Sequence, residues 1–181
     1  MAADTWNLDA SHGQLLVTTG VEGPAAKMGH RLRLAFPWRA TVRFADDAPV
    51  SVELIADVAD LEVLGGEGGV KGLSGPERAI AASNATKTLD AKKHPHIMFR
   101  ADEIAGTAEG YRLTGTLHIH GTERPQVVDL TAEGLGTAWR LSCEAVVRHS
   151  DFGVKPYSMM LGALKVADEV EVSFSAERSM S

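Results

Sequence analysis

The sequence predicts an all-β fold, an antiparallel sheet closed into a β-barrel of about eight strands, with one helix inserted near residues 76–93. Three observations predict it. Period-two alternation of apolar and polar residues recurs along the 181-residue chain, as it does in strands that bury one face. Short segments of turn-forming residues separate the alternating runs, which requires antiparallel neighbours because parallel strands need long crossovers. Only one stretch has a helical composition, so no layer of helices is available to cover an open sheet. At 44% hydrophobic and 23% charged residues, a chain of this length buries a core without staples, and residues 1–181 read as one domain.

The alternation is clearest near the C-terminus, where Val170, Val172, Phe174 and Ala176 interleave with Glu169, Glu171, Ser173, Ser175 and Glu177. Trp139, Leu141, Cys143, Ala145 and Val147 alternate with polar neighbours in the same way, as do Leu32, Leu34 and Phe36, and Val52, Leu54, Ala56 and Val58. Strands are expected near 5–9, 12–19, 31–36, 39–45, 50–60, 97–104, 111–119, 126–134, 138–149 and 168–177. Turns are expected at Asp46-Asp47-Ala48-Pro49 and at Gly134-Leu135-Gly136. The helix opens on Pro76 and Glu77, runs through alanines to Lys92 and Lys93, and is stopped by Pro95. Residues 64–75, with six glycines, read as a flexible surface flap.

Charge and composition exclude several functions. Eighteen basic against 24 acidic residues give a net charge of -6, which does not suit nucleic acid or an anionic membrane surface. No apolar run reaches the roughly 18 residues of a membrane span, so stable membrane insertion is not expected. The start, Met1-Ala2-Ala3-Asp4, has no basic and apolar leader pattern; a cytoplasmic location is expected unless a leader has been removed. Cys143, the only cysteine, forms no intrachain disulfide and alternates with core residues, as a small buried hydrophobe does. The glycine-rich stretch lacks the spacing of a phosphate loop. His149-Ser150-Asp151 names triad residue types, but consecutive residues do not converge as a triad.

The histidines carry the enzymatic alternative. His94-Pro95-His96 and His118-Ile119-His120 are H-x-H pairs, which set two imidazoles on one face of a strand. A hairpin of 97–104 with 111–119 pairs Ile97 with Ile119, Phe99 with Leu117 and Ala101 with Gly115, which sets His96 opposite His120 and Met98 opposite His118. These point away from the apolar face. A metal-dependent enzyme using His96, His118 and His120 is the competing function, but no structural metal and no cofactor are expected there.

The inward parity instead defines an interior. Leu34, Phe36, Leu54, Phe99, Leu117, Trp139, Leu141 and Phe174 are expected to line it, and small residues such as Ala101 opposite Gly115 leave volume in it. Phe152, Met159 and Met160 belong to a segment that either lines the mouth or packs beneath the barrel. The interior is read as carrying one long apolar molecule rather than as a site of catalysis. A homodimer is compatible with the sequence.

Four segments, in order, give a resemblance. Trp6-Asn7-Leu8-Asp9-Ala10-Ser11-His12, Leu89 to Ala101, Leu113 to Thr122 with its Gly115 and Gly121, and Ser150-Asp151-Phe152-Gly153-Val154 together resemble the YceI-like family. Arg100 and Ala101 depart slightly from its pattern, and Met28-Gly29-His30 looks like a subgroup feature. The resemblance implies a lipocalin-like barrel that holds a polyisoprenoid or similar lipid and has no catalytic residues.

Overall fold

The computed structural model describes residues 5–69 and 72–179. Its strands are β1 (Thr5–Asp9), β2 (Gly13–Glu22), β3 (His30–Phe36), β4 (Trp38–Ala45), β5 (Ala48–Asp57), β6 (Glu62–Gly68), β7 (His96–Gly106), β8 (Gly110–Ile119), β9 (Thr122–Gly134), β10 (Ala138–Arg148), β11 (Ser158–Met159) and β12 (Leu164–Ser179). The helix α1 spans Gly75–Thr88. Among the described residues, no helix is long and apolar enough to cross a membrane.

Every ladder is antiparallel. The strands follow the order β1-β4-β5-β7-β8-β9-β10-β12-β2-β3-β6, with β11 paired to β12 off this path. This corrects the expected closed barrel of about eight strands: eleven strands form a curled sheet whose ladder does not close. The chain itself turns the corner between the two ends of the sheet. β3 runs into β4 through Pro37, and β5 runs into β6 through residues 58–61. The corner is held by the Asp57 and Val58 amides, which donate to the carbonyls of Pro37 and Pro95 at 2.9 Å each. Neither edge lies bare. α1 packs along β6, and the Arg178 guanidinium of β12 sits 4.4 Å over the Trp6 ring of β1. A helix laid over an edge strand, as α1 is at β6, limits pairing with other chains.

The alternation read from sequence sets the faces. Leu34, Phe36, Ala56, Leu117, Leu141, Phe174 and Ala176 are buried inside, while positions of the opposite parity along the strands carry cross-strand ion pairs outside. Glu53–Arg100, Arg112–Asp129, Arg140–Glu177 and Arg148–Glu169 are all directly opposed ladder partners. Exposed pairs contribute about 0–1 kcal/mol each, but a one-residue slip in any of these three ladders would break the pairs it carries and turn the apolar face outward. The hairpin register of β7 and β8 pairs Phe99 with Leu117, Ala101 with Gly115 and Met98 with His118, with an irregularity after Ala101.

Three elements depart from expectation. The start of the expected flap is strand β6, paired to β3 from Gly68 opposite His30 to Glu62 opposite Ala35; Val70 and Lys71 of that flap lie outside the described residues. The helix ends at Thr88, because Asp90 takes a left-handed φ of 52°. The β4–β5 turn is only two residues long, Asp46 and Asp47, at φ 52° and 64°. Aspartate tolerates the left-handed region that such hairpin turns need.

Candidate functional site

The inner face of the curled sheet encloses a cavity of about 740 Å³, within the range of small-molecule sites. Its walls come from nearly every strand, and α1 forms one side. Along the helix, Glu77, Ile80, Ala81, Asn84, Ala85, Thr88 and Leu89 face the cavity, the i, i+3, i+4, i+7 series of one helical face. The deep end is sealed by aromatic packing: the Trp38 ring meets Phe174 edge-on at 4.8 Å, and its Nε1 donates to the Gly13 carbonyl at 3.2 Å. The other end opens where lining residues are also exposed: Met28, Ile80, Tyr157 and Met159.

The wall is mainly apolar, with Glu77, Asn84 and Thr88 of the helix and Gln126 of β9 among its polar exceptions. The buried Thr19 hydroxyl accepts from the Leu32 amide at 2.9 Å, and no buried side-chain nitrogen or oxygen among the described residues lacks a partner. Arg148 and Lys165 line the mouth, but each faces an acid, Glu169 at 2.8 Å and Glu22 at 3.8 Å. The cavity thus offers aliphatic surface with a charge-balanced rim. Cys143 lines it too, and burial, with a smaller effect from Glu144, pushes its thiol up to about 11, which leaves it a neutral apolar group.

Of the residues singled out in the sequence, Leu34, Phe36, Leu54, Phe99, Leu117, Leu141, Phe152, Met159 and Phe174 line the cavity. Three do not. Trp139 has the inward parity but stands near the start of β10, 37% exposed and beyond the lining. Ala101 is fully buried among backbone: a side chain on Gly115, its partner, would run into the Arg100 carbonyl oxygen. Met160 lies on the exposed turn after β11. The helical face was missed altogether, although its spacing was available in the sequence.

Of the sequence-based histidine pairing, Met98 opposite His118 holds across the ladder, but His96 opposite His120 does not. His96 Nε2 lies 3.2 Å from Asp57 Oδ1 instead. His120 leaves β8 and enters a two-residue turn with Gly121, at φ 55° and 75°. Its ring meets His94 instead, 4.9 Å between centroids. His96, His118 and His120 therefore do not form one cluster. His149-Ser150-Asp151 acts as a latch. The Ser150 hydroxyl and amide donate to the two Asp168 carboxylate oxygens at 2.6 and 2.8 Å, holding that carboxyl below its ordinary range. Asp151 lies 3.7 Å from Arg124.

Comparison with known proteins agrees with this architecture. BcnA of Burkholderia cenocepacia superposes with a TM-score of 0.67 at 21% identity, over 92% of this chain and 96% of that one. The YceI protein of Campylobacter jejuni superposes with a TM-score of 0.55 at 12% identity, over 100% of this chain and 88% of that one. A mutant YceI protein crystallised with a monobromobimane guest gives 0.59 at 16% identity, covering 80% of this chain and 81% of that one. No curated protein sequence matches the chain. A family model described as a YceI-like domain matches residues 6–178, and the chain belongs to the YceI-like family.

Proposed function

We propose that the protein binds a long-chain apolar or amphiphilic lipid, polyisoprenoid-like, in the cavity, and carries or stores it without catalysis. The observation that carries this reading is the cavity itself, about 740 Å³ with an aliphatic lining and an opening at Met28, Ile80 and Met159. Burying on the order of 500 Å² of apolar ligand surface contributes about 12 kcal/mol before association costs of about 4–15 kcal/mol. The net therefore depends on how completely the chain fills the cavity, and selectivity follows length and width. The ion-paired rim supports a ligand whose head remains at the mouth, because an anionic head entering further would have to compete with Glu169 and Glu22 for Arg148 and Lys165. A cytoplasmic location, action as a monomer or a homodimer, and the absence of any nucleic-acid partner belong to the same proposal.

The test is native mass spectrometry of the purified protein, followed by organic extraction. A co-purified lipid of defined mass in about one copy per chain is expected. Protein that is free of lipid, and that takes up no isoprenoid analogue when offered one, overturns the reading.

A further inference from the structure

The turn after α1 carries three ligating side chains to one place. Asp90, His94 and His120 each present one ligand atom within 4.8 Å of the other two, and all three residues are half-buried. The backbone fixes two of them. His94 closes a turn on Asp90, its amide donating to the Asp90 carbonyl at 2.8 Å. His120 is set by the tight β8–β9 turn, and a Cβ on Gly121 would lie 3.0 Å from His94 Cε1, so the two segments are already in contact. Among the described residues, none of these three side chains makes a hydrogen bond or ion pair with another residue. That differs from His96, which is engaged with Asp57.

We propose that Asp90, His94 and His120 form a binding site for a divalent transition-metal ion of the zinc type. Two imidazoles and one carboxylate are an ordinary zinc donor set, and one negative charge against two positive suits a site with a fourth position left to water. Bonds of about 2.0–2.2 Å place tetrahedral ligands roughly 3.3–3.6 Å apart, so the side chains close by an ångström or so through rotamer adjustment. The metal would clamp the post-helical turn to the β8–β9 hairpin. Leu89, next to Asp90, lines the cavity, so the clamp would also pin the C-terminal end of the helix beside it. This site is independent of whether a lipid occupies the interior.

The experiment is zinc titration of chelator-stripped full-length protein against a competing chromogenic chelator. One zinc per chain is expected. His120→Asn and Asp90→Asn remove ligand strength while keeping a residue that tolerates positive φ, and His94→Ala removes the second imidazole. Loss of an outer-shell partner already costs about 10–100-fold in affinity, so each variant is expected to weaken zinc by more than about tenfold. His96→Ala should change it by less than about twofold, since His96 supplies no ligand and its loss is not even an outer-shell effect. In the unmutated protein, zinc should protect His94 and His120, but not His96 or His118, from diethylpyrocarbonate. This mapping decides the matter even where a variant fails to fold. Absence of stoichiometric zinc, protection at other histidines, or zinc retained by a folded His94→Ala or His120→Asn variant overturns the proposal.

Discussion

Ala101 and Ala145 share an inward parity, yet different surroundings stand in front of them. Ala145 lines the cavity opposite Val172, whereas Ala101 is fully buried against the Gly115 backbone. Overpacking a filled site costs about 1–3 kcal/mol or more. Ala101→Trp is therefore expected to lower the thermal midpoint strongly, and Ala145→Trp to fold near normally while uptake of a fluorescent isoprenoid analogue falls. If Ala145→Trp unfolds the protein, the interior is packed and the cavity reading fails. Parity was legible in the sequence because strands alternate by geometry, but the distance from each residue to the rim was not, which is why Trp139 was placed inside. Cys143 makes a pH test. Its thiol ionises near 11 in the fold against an ordinary 9.0, so the folded state holds its proton longer than the unfolded chain does. Stability from this group is fully present below about pH 9 and is lost as pH rises toward 11, by on the order of 2–3 kcal/mol. Urea midpoints should fall between pH 8.5 and 10.5, and the fall should be smaller in Cys143→Ala. An equal fall in both would remove Cys143 as its cause.

At the scale of elements, α1 is the loosest part of the wall. No residue of it is buried, and it touches the core through Ala81, Ala82 and Ala85, small side chains that contribute little area. Its N-terminus is secured by a capping box in which Ser74 Oγ accepts from the Glu77 amide and Glu77 Oε1 accepts from the Ser74 amide, both at 3.2 Å. Removing such a cap costs about 1 kcal/mol. Ser74→Ala should therefore raise hydrogen exchange across Gly75–Thr88 by about fivefold, with β8 unchanged, and quicken release of bound ligand. Helix amides as protected as those of β8, before or after the substitution, would show that the helix is no gate. The helix was legible from Pro76, Glu77 and the alanines, but its end was not. Lys92 and Lys93 resemble a C-terminus, and the left-handed Asp90 that ends the helix gives no compositional signal. β6 was missed for a related reason. Gly65, Gly66 and Gly68 have no side chains to alternate, so the strand exists through its ladder with β3 and through Leu73, whose Cδ1 sits 2.7 Å from where a Gly66 Cβ would lie.

The whole molecule adds what local pattern cannot carry. Whether a curled sheet closes depends on twist and stagger summed over many strands, and no single segment records that sum; the chain turns its corner at Pro37 and residues 58–61 with β1 and β6 unpaired to one another. A large interior in a sheet whose ladder does not close leaves much apolar surface without packing partners, so occupancy should matter for stability. A ligand that binds only the folded state stabilises it by RT ln(1 + [L]/Kd), about 2.7 kcal/mol at a hundred times Kd. For a chain of this length each kcal/mol moves the thermal midpoint by about 2–4 °C, so lipid-loaded protein should melt roughly 5–11 °C above protein stripped by extraction. Adding an isoprenoid analogue to the stripped protein should restore the difference, with the midpoint rising with concentration. Ala145→Trp separates the cavity from any outer apolar surface such as Met160 and Leu161, which stand exposed beyond the mouth. In that variant the stripped protein should keep its midpoint and lose most of the ligand-dependent rise. A rise of unchanged size would place the ligand outside the cavity, because an indole at position 145 occupies the volume the chain of the lipid needs.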